Sequence, residues 1–243
     1  MRFTRRATVA VLSVLLIVAP HAFALDVVTI SYPGPAIFFL PAEIARQQGF
    51  FRDQNLDAKL ILTRSDADRA ALASGDVDYT LRGGSTVLSA ARIPALLSGA
   101  MDAGLIDYSE AFRARKSGYK ILLNAADHYS VLSAALGANL KKLREQPQQV
   151  RGFLKANVQA HRFMRENREA TLAVLMNWIK ADRETAEGIY QLSIDNFTRD
   201  GTVEEAVLKA VVDQQLTESK VKEVPLSQVA DFSLLHQVLK DGR

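Results

Sequence analysis

The stretch best equipped for chemistry is Arg82-Gly83-Gly84-Ser85-Thr86, which follows an apolar run and opens a helix-forming one. Two adjacent glycines let the backbone approach a ligand closely. The free amides of a helix's first turn then face that ligand with partial positive charge. Ser85 or Thr86 can add a hydroxyl, and Arg82 a full charge if it points inward. Taken alone, the same residues read more readily as a plain turn with Ser85 capping a helix. A second candidate is Ser31-Tyr32-Pro33-Gly34-Pro35, where Tyr32 can stack on a small organic group or simply cover a strand end. A third is Asp107-Tyr108. All three follow expected strands, and ligands of open α/β sheets collect outside the carboxyl ends of strands.

Catalysis finds no foothold. His21, His128, His161 and His236 are scattered without ligand spacing, and His161 shares a helix face with Phe153, Leu154 and Val158. Asp127-His128-Tyr129-Ser130 holds the residue types of a nucleophile relay. Neighbours on an extended chain point to opposite faces, so the relay cannot close. Glu184 with Glu187, and Glu204 with Glu205, sit in first turns of expected helices, where the macrodipole accounts for them. The chain has no cysteine. A thiol nucleophile, a thiolate zinc site and a disulfide are thereby excluded, and no cofactor is expected.

The elements that must position the candidates alternate in type. Strands are expected over residues 26–31, 58–63, 79–81, 103–106 and 120–124. Helices are expected over 40–48, 66–74, 85–91 and 108–116. This order argues for a mostly parallel sheet. From about residue 139 the pattern becomes helical alone. Pro147 suits the first turn of a helix reaching about Arg165, with Val150, Phe153, Leu154 and Val158 inward. Asn167 and Asp182 are expected to cap the next two helices, and Thr202 with Glu205 to form a capping box. The next helix after Asn167 carries Leu172, Leu175, Trp178 and Ile179. Residues 227–239 supply a last amphipathic stretch.

ALASGDVDYTL (71–81) and ALLSGAMDAGL (95–105) repeat one phrase 24 positions apart. Each reads as an apolar helix end, a closing glycine in the left-handed region, a polar turn and an Asp leading into a strand. Two copies are too few for a stacked array.

Residues 1–24 carry three arginines, no acid, an apolar run and Ala22-Phe23-Ala24, the shape of a signal-peptidase site. Cleavage after Ala24 and export are expected. The sequence pI of about 9.1 comes from that segment. Without Arg2, Arg5 and Arg6 the 30 Lys and Arg fall to 27, equal to the 27 acids. No basic excess is left to recruit nucleic acid.

LPAEIARQQGFFRDQNLDAKLI (40–61), ALASGDVDYTLRGGSTVLSAAR (71–92), ALLSGAMDAGLI (95–106) and EVPLSQVADFSLLHQVL (223–239) resemble periplasmic substrate-binding proteins of the sulfonate/nitrate/taurine type, related to the NMT1/THI5-like group. The resemblance implies two α/β lobes around a cleft and delivery of a small ligand to an ABC permease. It also accounts for the repeat, because each lobe of such a protein carries one helix–Gly–Asp–strand turn. Here Arg92 runs almost directly into the second copy. The expected organisation is therefore an α/β part over residues 25–92, a truncated second lobe over 93–124, and a return to lobe 1 with C-terminal helices over 125–243. Expected ligand contacts are Tyr32, Arg82, Gly83, Gly84, Ser85, Thr86 and Tyr108. The cysteine-rich motif of the yeast pyrimidine-synthesis relatives is absent. The face uncovered by the missing lobe could pair with a second copy.

Overall fold

The computed structural model describes residues 24–63, 65–83, 95–96, 98–104, 106–124, 127–128, 132–219 and 223–242. The expected export signal lies outside them, apart from Ala24. β1 (Asp26–Tyr32), β2 (Leu56–Leu62), β3 (Tyr79–Gly83) and β4 (Ala134–Ala138) form one sheet in the order β2-β1-β3-β4. The first three strands are parallel, and β4 runs antiparallel to β3, with Thr80 opposite Gly137.

α1 (Leu40–Gln47) follows β1, with Pro41 in its first turn, and Gly49 turns the chain away at φ +84°. α2 (Ser65–Ser74) links β2 to β3. Gly75 then takes φ +89°, and Gly99 takes φ +74° in the second copy of the phrase. α3 (Tyr108–Lys116) starts as expected, because Asp107 accepts a bond from the Glu110 amide at 2.9 Å.

The remaining helices are α4 (Leu140–Glu145), α5 (Pro147–Glu166), α6 (Arg168–Ile179), α7 (Arg183–Ser193), α8 (Glu205–Ser219), α9 (Leu226–Val229) and α10 (Ser233–Asp241). Asp182 caps α7 by accepting from the Thr185 amide at 2.7 Å. Asn167 precedes α6 without capping it, since its amide is turned back towards the Phe163 carbonyl. The capping box does not form either. The Thr202 hydroxyl donates to Asp200 at 2.6 Å, and the helix begins three residues later.

Strand alternation separates two faces. Val28 and Ile30 of β1, with Tyr79 and Leu81 of β3, enter one core with Leu40 and Ile44 of α1, Phe153 of α5 and Leu172 and Leu175 of α6. Tyr79 stacks flat on Phe153, with ring centroids 3.7 Å apart. The opposite face is polar and carries α2, whose Leu72 lies against Gly137. Asp78 fastens the entry to β3. It accepts from the Thr29 amide at 2.7 Å and from the Thr29 hydroxyl at 3.1 Å, and pairs with Lys142 at 2.6 Å.

α3 packs on α7 so closely that a β-carbon on Gly188 would lie 1.9 Å from the Phe112 ring. Of the strand expected at residues 103–106, the described residues Ala103, Gly104 and Ile106 have no ladder. Residues 120–124 are likewise without a ladder, and Leu122 is 81% exposed. The place beside β3 is taken by β4, so neither segment reaches the sheet. The expected helix at 85–91 lies outside the described residues.

Candidate functional site

Because β1, β2 and β3 are parallel, Tyr32, Leu62 and Gly83 end at the same edge of the sheet. Ser31 and Thr80 are register partners, so their hydroxyls share the α2 face, and Arg82 follows two residues on. Asp68 of α2 meets all three. It accepts from the Ser31 hydroxyl, from the Thr80 hydroxyl at 2.6 Å and from the Arg82 guanidinium at 2.7 Å. The Asp68 side chain is 4% exposed and that of Arg82 is 39% exposed. Burial raises the Asp68 pKa, but the bonds from Ser31, Thr80 and Arg82 and the Arg82 charge outweigh it, leaving the carboxyl below its ordinary range. The charge of Arg82 is therefore answered from within the protein.

The other face of the same edge holds a recess of about 340 Å³ lined by Tyr32, Pro35, Glu43, Gln47, Asn177, Trp178 and Lys180. The Tyr32 and Trp178 rings lie 5.0 Å apart with planes tilted by 31°. The Trp178 indole N–H donates to the Ala36 carbonyl at 3.1 Å, which fixes its ring beside the loop after β1. Glu43 is occupied: Arg46 engages both its oxygens, at 2.8 and 2.6 Å, and the Gln47 amide reaches one at 2.6 Å. Burial and the nearby Glu43 charge raise the Tyr32 pKa against the opposing effect of Arg46, so its hydroxyl stays protonated at neutral pH.

Tyr108 stands at the first position of α3, its ring centroid 6.1 Å from that of Phe38. Its hydroxyl accepts from the Asn196 side-chain amide at 2.8 Å. Phe38 belongs to the turn that follows the Tyr32 loop, which puts Tyr108 on the flank of the same region. Gly83 ends β3, with Ala134 of β4 opposite it. Gly84, Ser85 and Thr86 lie outside the described residues.

Asp68, Thr80, Asn177, Trp178 and Lys180 are additions that sequence reasoning did not single out as site residues. Trp178 was expected only as an inward apolar residue of its helix. His161 is tied to the Thr198 carbonyl at 3.0 Å and lies edge-on to Phe197, 5.8 Å away. Among the described residues, no group of three His, Asp or Glu could hold a metal. Nor is any helix among them long and apolar enough to cross a membrane.

Several solved structures share this architecture. SsuA from Xanthomonas axonopodis pv. citri, an alkanesulfonate-binding protein bound to MOPS, is similar with a TM-score of 0.62 at 11% identity, over 82% of this chain and 95% of that one. The ligand-binding component of an ABC-type import system from Staphylococcus aureus, with zinc bound, reaches 0.59 at 10% identity, over 88% and 99%. The desulfurization enzyme DSZB also reaches 0.59, at 11% identity, over 90% and 100%. No protein-family model matches the sequence, and no curated protein matches it significantly. The chain has the mixed α/β fold of periplasmic binding proteins.

Proposed function

We propose that the chain is an exported, periplasmic solute-binding component of an ABC importer for a small organic or oxyanionic nutrient. Sulfonate, taurine, nitrate or a thiamine-pyrimidine-like compound are the ligand classes. The observation that carries this reading is an aromatic-walled recess at the carboxyl edge of a parallel sheet, in a fold shared with import-system binding proteins. Tyr32 is an aromatic wall together with Trp178, Tyr108 adds an aromatic flank outside the recess lining, and Gly83 and Gly84 offer backbone amides. Ser85 and Thr86 are polar anchors, and Arg82 shapes the edge through Asp68. Residues 93–124 form a shortened second lobe; a single sheet among the described residues supports this. Binding is then weaker than in a two-walled clamp, because the second wall supplies much of the contact area in such a clamp. The role is binding and not catalysis, although DSZB shows that the fold also serves an enzyme.

Isothermal titration against pyrimidines, sulfonates, taurine and nitrate tests the reading. Heat with one class is the expected result, and silence from a folded sample with all of them would reject it.

A second reading is favoured by one feature. Ile121, Leu122 and Leu123 are consecutive and exposed. As an interaction module, the chain would pair through them with a second copy. Sedimentation at several concentrations would then show a dimer that Leu122→Asp abolishes.

A further inference from the structure

Among the described residues, the strand-end edge presents Arg82, Arg46 and Lys180. Arg82 is held by Asp68 at 2.7 Å, and Arg46 by Glu43 at 2.6 Å. Lys180 lines the same recess as Tyr32 and Trp178, is exposed, and has no carboxylate partner among the described residues. Among the described residues lining that recess, the carboxylate is Glu43, whose oxygens are occupied by Arg46 and Gln47. The recess thus combines an aromatic pair with an ammonium group that no carboxylate answers among the described residues.

The backbone adds an independent observation. Lys180 ends α6 in the left-handed region, at φ 53°, ψ 50°. That position is ordinarily glycine or asparagine, because a β-carbon is strained there. Among the described residues, the other non-glycine residue at positive φ is Asn55, the usual choice. A lysine answering only the helix dipole could sit at a right-handed position in the last turn. Strain accepted by a long cationic side chain at the mouth of a recess indicates use of that side chain.

Resting on the solute-binding reading above, we propose that Lys180 receives the anionic head of the ligand, while Tyr32 and Trp178 take its apolar body. The ligand class narrows to small organic anions, since a bare inorganic oxyanion would leave the aromatic walls unused. Arg82 becomes a positioning residue, holding Asp68 and, through it, Ser31 and Thr80 at the strand ends. A volume near the lower end of the range for ligand pockets suits a single-ring or short-chain compound.

Trp178 is the single tryptophan of the chain, so its fluorescence reports the recess directly. The experiment titrates the full chain and its Lys180→Asn variant with benzenesulfonate, with its neutral counterpart benzenesulfonamide, and with any compound that gives heat in the calorimetric series. Asn keeps the left-handed backbone comfortable, and a thermal melt confirms that the variant folds. Expected are a Trp178 signal with organic anions, anion affinity lowered about tenfold or more in the variant, and neutral-ligand affinity unchanged. A wild type that binds with no Trp178 change, or a variant that binds anions equally well, overturns the assignment and leaves the solute-binding reading intact. A wild type silent to every compound, in heat and in fluorescence, overturns both.

Discussion

The phrases at residues 71–81 and 95–105 close with related turns that share two hydrogen bonds. They differ at the glycine, where the Gly75 amide reaches the Ala71 carbonyl four residues back and the Gly99 amide the Leu96 carbonyl three back. The Val77 and Met101 amides reach the Ala71 and Ala95 carbonyls at 3.2 Å each, and the Ser74 and Ser98 hydroxyls reach the same two carbonyls at 3.1 Å each. Beyond the turn they part. Val77 is 4% exposed and Met101 36%. Asp78 is bonded to Thr29 and Lys142, whereas Asp102 is exposed and has no such partner among the described residues. Tyr79 enters a strand, but Ala103, Gly104 and Ile106 do not. The turn is a local product of Gly, Ser and an apolar helix end. A strand also needs a neighbour's backbone, and β4 has taken the available edge of β3.

The comparison can be broken most decisively at its aspartates. Asp78→Ala leaves Lys142 and the Thr29 groups without their acceptor and is expected to cost about 2–3 kcal/mol, against less than about 0.5 for Asp102→Ala. Urea unfolding at constant slope measures both, and equal losses would mean that the second copy is anchored after all. Next come the residues after the glycines. Val77→Ala should cost about 1–2 kcal/mol by loss of buried methyls, and Met101→Ala under about 0.5.

A smaller effect sharpens the contrast. Gly75→Ala strains a left-handed turn by about 1 kcal/mol, which global unfolding will register. Gly99→Ala carries the same local strain but should appear in hydrogen exchange of residues 95–101 and scarcely in the global midpoint. Matching midpoints would place the second copy inside the cooperative unit.

The least effect is expected from acid. The Asp68 pKa lies below its ordinary range because hydrogen bonds and Arg82 overcome the effect of burial. The His161 pKa lies below its ordinary value chiefly through burial, against the bond to Thr198. In both cases the unfolded chain binds more protons, so stability must fall as pH drops. The His161 share is lost from about pH 6.5 downward, and the Asp68 share from about pH 4 downward. Melting temperatures across this range should decline in those two steps, and His161→Gln should remove the first.

How much of this was legible in the sequence followed how local each signal is. Asp107 and Lys116 bound α3 where expected, because the cap and the helical composition are contained in that segment. Pro147 and Asp182 behaved likewise. β4 was not legible: Ala-Ala-Leu-Gly-Ala carries little strand propensity and is a strand because β3 pairs with it more than 50 residues away. Residues 120–124 are the converse, a strong apolar run with no ladder to join. Tyr32 and Arg82 were visible as candidates through their places at strand ends, whereas Tyr108 was visible through a place after residues 103–106, whose described members have no ladder. Trp178 and Lys180 were not, since the ring contact with Tyr32 joins positions 146 residues apart. The signal that could have found them is a lysine standing just after an apolar helix, where a glycine or asparagine is the usual ending.

Phe112 sits where Gly188 has no side chain, so α3 is keyed to α7 like a peg in a slot. Tyr108, one turn earlier on α3, is fastened by Asn196, in the turn that follows α7. For that tyrosine to swing over an arriving molecule, the ring would first have to be lifted from its slot. Under the proposed binding role it is accordingly a stationary bank of the site, and any part that closed over a ligand would have to travel from another quarter.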